Sequence, residues 1–228
     1  MDRRLIWVFG SLAPVVTWSW IGPHDRFTWW LESAPVVVGV PLILVFRNKF
    51  PLSTLLLMLL WLHGMILVVG GHYTYAQVPL GEWAKGWFGW QRNNYDKLGH
   101  FVQGFVPAIL TRELLLRLSP LGSGSLQPFD YAPGDVAASR PSRWLGFLVV
   151  CVGLAFSAFY ELIEWFTAVT QGSAADDFLG TQGDPWDTQT DMLLALIGAG
   201  TAVLFFSRLH DRSLARLPAV RPRLSRIT

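Results

Sequence analysis

Charge is scarce in this chain. Asp, Glu, Lys and Arg make up 15% of its 228 residues, whereas 52% are hydrophobic. With a mean hydropathy of +0.37, so little charge excludes a soluble domain of this size and marks an integral membrane protein. Cysteine is nearly absent as well. The lone Cys151 lies in an apolar run, which excludes an intramolecular disulfide and a cysteine-based metal framework. No G-x-S-x-G, P-loop or H-E-x-x-H string occurs, so serine-hydrolase, nucleotide-driven and zincin readings have no support. The formal net charge of +2 decides little, and no nucleic-acid partner is expected.

Long apolar runs and tryptophan are abundant. Many of the 12 Trp, among them Trp7, Trp18, Trp20, Trp29, Trp30, Trp83, Trp87, Trp90 and Trp144, fall near run ends, where indole rings favour the headgroup interface. Six runs approach the length that crosses about 30 Å of hydrocarbon. They cover residues 5–20, 29–46, 52–70, 98–118, 144–166 and 192–206, the last extended back by a turn from Asp187. The expected fold is therefore an all-α, polytopic helical bundle of about six transmembrane helices in a single domain spanning residues 1–228. The first run follows Arg3 and Arg4 but lacks a small-x-small cleavage pattern after it, so it reads as a retained helix. Glu32, Pro35 and Pro41 interrupt the second, which neighbouring helices can accommodate.

Basic residues alternate between the connections. Arg3, Arg4, Arg47, Lys49, Arg117, Arg140, Arg143, Arg208, Arg212, Arg216, Arg221, Arg223 and Arg226 all fall on one side, which the positive-inside rule makes cytoplasmic. Both termini are then cytoplasmic, and the expected location is multi-pass in an inner membrane. Residues 119–142 read as a cytoplasmic loop and 208–228 as a basic cytoplasmic tail on the anionic leaflet. On the other side, residues 81–90 fit an interfacial segment. Residues 167–186 form a periplasmic acidic loop with Asp176, Asp177 and Asp184 and no Lys or Arg. Its size and polar content suit a lid.

Ionisable residues within spans cost roughly 2.5 to 3.5 kcal/mol each and by default mark function. Three pairs stand at helical spacing: Asp96 with His100, Glu161 with Glu164, and Asp187 with Asp191. Residues at i and i+3 or i+4 share one helix face. A rise of about 1.5 Å per residue puts Glu161 some 27 Å from Arg143, at the depth where the helices opened by Asp96 and Asp187 begin. His72 follows the third run at that depth. Lys97 projects about 100° from Asp96 on an ideal helix, and the fifth and sixth spans contain no Lys or Arg. Uncompensated carboxylates repel, so a divalent cation (Zn, Mn, Mg or Ca) is the economical partner.

That assigns Asp96, His100, Glu164, Asp191 and His72 as candidate metal ligands and Glu161 and Asp187 as candidate catalytic carboxylates. Some of these have a plainer role open to them, whereas Glu161, Glu164, His100 and Asp191 lie within or at the edge of apolar helix and cannot all be caps. Asp96, Asp187 and Asp184 can cap or complement a helix N-terminus, and His72 can be interfacial. Glu113 with Arg117 one turn on suits an ion pair, His63 suits packing and hydrogen bonding between helices, and His24 and His210 carry no signal.

The strings Tyr95-Asp96-Lys97-Leu98-Gly99-His100-Phe101, Tyr160-Glu161-Leu162-Ile163-Glu164-Trp165, and residues 178–192 from Phe178 through Asp187 and Asp191 to Met192 resemble the YjdF-like family of bacterial inner-membrane proteins. The resemblance runs from the second span to the sixth. The D-x-x-x-H helix start with later acidic spans is also distantly similar to VanZ-like membrane proteins. The YjdF-like resemblance implies the fold and the choice of residues and leaves the reaction open. From the residues themselves, two functions follow. One is a metal-dependent enzyme acting on a membrane lipid or a lipid-linked, anionic substrate, with helix N-termini favouring the anion. The other is a non-enzymatic ion-binding or transport protein, or a metal-stabilised scaffold.

Overall fold

The computed structural model describes residues 2–119, 121, 142–172 and 176–217, and among these all regular structure is helical. The long helices are α1 (Arg3–Trp20), α2 (Arg26–Phe46) and α3 (Thr54–Tyr73). A short α4 (Pro79–Phe88) precedes α5 (Tyr95–Leu118) and α6 (Arg143–Gln171). After one turn of α7 (Asp176–Leu179), α8 (Asp187–Thr201) runs through a π-helical segment, Ala202–Phe206, into α9 (Ser207–Leu214).

Among the described residues, four stretches are long and apolar enough to cross a membrane: Arg26–Phe46, Thr54–Tyr73, Trp144–Gln171 and Asp187–Leu214. The helices α1 and α5, expected as spans, pack among them without being in that set. Here α5 carries Asp96, Lys97, Arg112, Glu113 and Arg117 and buries half its length. Side-chain caps start the first three helices, with Asp2 accepting from Arg4, Asp25 from Thr28 and Ser53 from Leu56. Pro14, Pro35, Pro41 and Pro107 lie inside helices, as packed spans permit.

Three helices form the centre of the bundle, and small residues set their spacing. A Cβ at Gly104 of α5 would strike the Ala195 carbonyl of α8, and one at Gly198 would strike the Phe101 carbonyl. A Cβ at Gly153 of α6 would lie 2.8 Å from Ala199 Cβ and 3.2 Å from the Gly104 carbonyl. Backbones this close are how membrane helices gain contact without a hydrophobic drive between them. The contact faces repeat every four residues: Asp96, His100, Gly104 and Ala108 on α5, Asp187, Asp191, Ala195 and Ala199 on α8, and Val149, Gly153, Ser157 and Glu161 on α6. Below the ionisable positions these stripes are small or apolar apart from Ser157, and Ala108, Ala195, Ala199, Val149 and Ser157 are fully buried. Because α5 and α8 run parallel and α6 runs against them, the ionisable ends of all three stripes meet.

Several element boundaries differ from the sequence expectation. The third helix does not stop at Gly70 but continues to Tyr73, which places His72 in its last turn rather than in a loop. Gly71 lets α3 pass close to α2, since a Cβ there would lie 3.1 Å from Ser33 Oγ and 3.3 Å from Glu32 Cβ. The expected loop 167–186 begins later, since α6 extends to Gln171 and ends on Gly172 at φ 58. Helical structure likewise reaches Leu214 in the expected tail, where His210 and Leu214 are buried. The rest of that tail beyond residue 217, and residues 120 and 122–141 of the expected cytoplasmic loop, lie outside the described residues.

At the opposite end of α5 from Asp96, Glu113 accepts from the Ser53 N–H at 3.0 Å, Arg117 at 2.8 Å and His210 Nε2 at 3.0 Å. The expected Glu113–Arg117 pair is thus present. His210, expected to carry no signal, is fully buried between Glu113 and Arg112. Its helix is amphipathic, and the imidazole lies on the inward face with Leu214.

Candidate functional site

Asp96, His100, Glu161, Glu164, Asp187 and Asp191 converge at the end of the bundle where α5 and α8 begin. The ligand atoms of Asp96, His100 and Asp191 lie within 4.8 Å of one another, and so do those of His100, Glu161 and Glu164. His100 belongs to both groups. Its Nε2 stands 3.3 Å from Asp96 Oδ1, within hydrogen-bond reach, and 3.9 Å from Asp191 Oδ2. Its Nδ1 faces Glu161 Oε1 at 3.8 Å. Both of those last atoms are buried and have no hydrogen-bond partner among the described residues. Leaving a buried polar atom unpaired costs about 1–3 kcal/mol, so such pairs call for something between them.

The carboxylates are not all without cations, contrary to the sequence expectation. Lys97 donates to Asp187 Oδ1 at 2.6 Å and to Asp191 Oδ1 at 2.9 Å. Arg92, just ahead of α5, donates to Asp187 Oδ1 at 2.6 Å and Asp184 Oδ2 at 3.1 Å, and its Nη2 lies 3.8 Å from Asp96 Oδ2. An ideal helix does turn Lys97 away from Asp96. That direction leads to α8, and the four-carbon stem spans the gap. Burial opposes the Arg92 charge, but the bond to Asp187 and the nearby carboxylates outweigh it and hold the guanidinium above its usual range. Asp187 is thereby committed to two cations. Asp96 and Asp187 lie in first turns without capping them, as neither α5 nor α8 has a side-chain cap bond.

Sequence reasoning missed Glu32, reading it as an interruption of the second helix. Its side chain is buried beside this cluster, and Tyr160 donates to the Leu31 carbonyl at 2.9 Å and to Glu32 Oε2 at 3.4 Å. The Tyr75 phenol also lies beside Glu32. Burial, with Glu32 beside it, pushes the Tyr75 phenol well above its ordinary value, so it remains a neutral donor. Its ring occupies the space left by Gly70 and Gly99. A Glu three residues before a proline in an apolar run is the signal that was available.

His72 lies apart from both ligand groups. Its Nδ1 is 3.0 Å from the Ser19 carbonyl and its ring lies 4.2 Å from that of Trp18, tilted by 34°. His63 packs in an apolar cavity between α1, α2 and α3, but its Nε2 has no partner, so the expected hydrogen bond at that atom is not made.

The segment after α7 is latched over the start of α5. Asn93 N–H donates to Gln182 Oε1 at 2.9 Å, and Gln182 Nε2 donates back to the Asn93 carbonyl at 2.9 Å. The Asn93 amide also donates to the Val78 carbonyl and Glu82, which fixes α4 to the same corner. Trp83, Trp87 and Phe88 of α4 are exposed. The side chains of Asp176 and Asp177 lie outside what is described.

The helices and this cluster define an integral membrane protein with a buried carboxylate–imidazole site at one end of its bundle. The chain belongs to the family described as "Predicted membrane protein (DUF2238)", whose model matches residues 4–212. It is similar to the "Inner membrane protein YjdF" of Escherichia coli (strain K12), with 48% identity over 206 residues, 90% of each chain. It is a multi-pass inner-membrane protein. The comparisons do not show the distant similarity to VanZ-like proteins, and no solved structure matches.

Proposed function

We propose that this protein holds a divalent cation in the cluster around His100 and uses it, at the periplasmic face, on a lipid or lipid-linked anionic substrate. The observation that carries this reading is the charge imbalance. Six carboxylates, from Glu32, Asp96, Glu161, Glu164, Asp187 and Asp191, gather where, among the described residues, Arg92 and Lys97 are the lysine and arginine cations in contact with them. A bound Zn, Mn, Mg or Ca ion relieves the excess and polarises a phosphoryl or acyl oxygen or activates water. Six spanning helices with both termini cytoplasmic fit the alternation of basic residues and put the cluster on the periplasmic side. The exposed aromatic face of α4, fixed to the same corner through Asn93, suits the lipid headgroup interface from which such a substrate arrives.

The competing reading is a non-enzymatic ion-binding or transport protein, or a metal-stabilised scaffold. The Lys97 bridge from α5 to Asp187 and Asp191 favours a scaffold contribution. A transport route has less behind it, because below His100, Glu161 and Asp191 the facing stripes are small and buried, Ser157 being their one polar side chain.

The test uses purified full-length protein with added Zn, Mn, Mg or Ca, offered phospholipids and polyprenyl phosphates, beside Glu161→Gln. Metal-dependent product formation lost in the variant supports the enzyme. No turnover, with metal-dependent ion flux in proteoliposomes, supports the alternative.

A further inference from the structure

Resting on the metal reading above, we infer that His100 divides the cluster, with the cation on Nδ1 together with Glu161 and Glu164, and Asp96 orienting the ring through Nε2. The two acids on the Nε2 side already have partners. Asp191 accepts from Lys97 at 2.9 Å, and Asp96 has His100 at 3.3 Å and Arg92 at 3.8 Å. On the Nδ1 side the situation is reversed. Nδ1 and Glu161 Oε1 are buried, unpartnered and 3.8 Å apart, and Glu164 reaches the same point from the next turn of α6. His100 and Glu161 are 5% and 6% exposed, so water does not readily satisfy them.

The 3.8 Å separation also suits a shared ligand better than a direct bond. It is too long for an N–H to carboxylate hydrogen bond. Two atoms each roughly 2.0–2.2 Å from a first-row divalent ion stand about 3.3–3.6 Å apart at a tetrahedral angle, so 3.8 Å leaves room for a shared ion. Metal-bound imidazole characteristically donates its other N–H to a carboxylate, which fixes tautomer and ring orientation. Asp96, one turn before His100 on the same face, stands where that partner belongs. Asp187 and Asp191 then serve to hold Lys97 and Arg92, and through them α8 and the segment after α7, against α5.

Co²⁺ titration of full-length protein in detergent, followed by its visible absorption and by Zn²⁺ competition, tests the division. Glu161→Gln and Glu164→Gln are expected to abolish the signal. Asp96→Asn should retain one site with affinity lowered about 10–100-fold, the usual effect of losing an orienting carboxylate. Asp191→Asn should change affinity by no more than a few-fold. If Asp96→Asn and Asp191→Asn abolish binding while the α6 variants keep it, the ion sits on Nε2 and the division is wrong, although the metal reading stands. A wild type that binds neither Co²⁺ nor Zn²⁺ overturns both. For variants that fail to fold, ¹⁵N-histidine spectra of the wild type supply the same answer. The His100 Nδ1 resonance must move on Zn²⁺ addition while Nε2 stays protonated, and the opposite pattern overturns the division.

Discussion

Lys97 of α5 bridges Asp187 and Asp191, one turn apart on α8, at 2.6 and 2.9 Å. One side chain thereby contacts both acids that open α8, and it ties the two helices together at the mouth of the site. Lys97→Met leaves the buried Asp191 without its lysine partner and Asp187 with Arg92 alone. Breaking a buried pair from one side costs about 3–5 kcal/mol. The expected result is a marked fall in Tm, partly restored when Asp191→Asn is added. A double-mutant cycle with no coupling between Lys97 and Asp191 would contradict the bridge.

Helix spacing below the site is set by glycine. Gly104→Ala forces a methyl into the Ala195 carbonyl, and overpacking of this kind costs about 1–3 kcal/mol. Gly86, inside α4, has open space where its Cβ would be. Gly86→Ala should therefore be neutral or stabilising by about 0.5–1 kcal/mol. Thermal unfolding of the two variants in one detergent checks the contrast, and equal effects would show that α5 and α8 do not approach as described.

The buried network at the far end of α5 is expected to be structural. Glu113→Gln weakens acceptance from Arg117, His210 and the Ser53 N–H, and His210→Ala empties a fully buried position. Both should lower Tm while leaving metal stoichiometry at wild-type value. Loss of metal without loss of stability would place this end in the functional site instead.

Topology is tested by labelling in a Cys151→Ser background. Gln171→Cys, exposed at the end of α6, should react with an impermeant thiol reagent in spheroplasts. Asn48→Cys, exposed between α2 and α3, should react only after the membrane is permeabilised. The reverse pattern inverts the orientation.

Much of this arrangement was legible in the residues. The pairs at 96 and 100, 161 and 164, and 187 and 191 gave the face of each helix. Gly104, Ala195, Ala199, Gly153 and Ser157 continue those faces at four-residue intervals, which is why the acids converge. Helical periodicity reports on one helix at a time, however. It cannot say that Lys97, pointing away from Asp96, points at α8, nor that Arg92 reaches Asp184, 92 residues on. Glu32 was read against its apolar neighbours as a break, when its partners Tyr75 and Tyr160 come from two other parts of the chain. His210 was hidden by the hydrophilic sequence around it, since one buried face of a two-turn helix leaves little pattern.

Elemental analysis of the purified wild-type protein, prepared without chelator and compared with His100→Ala, bears on the whole account. About one equivalent of a divalent metal per chain is expected in the wild type and none in the variant, with Tm of the chelator-stripped wild type rising when metal is returned, as for any ligand that binds only the folded state. Metal-free wild type showing no thermal shift with Zn, Mn, Mg or Ca would contradict it, and would leave the cluster as an ion-paired joint between α5, α6 and α8.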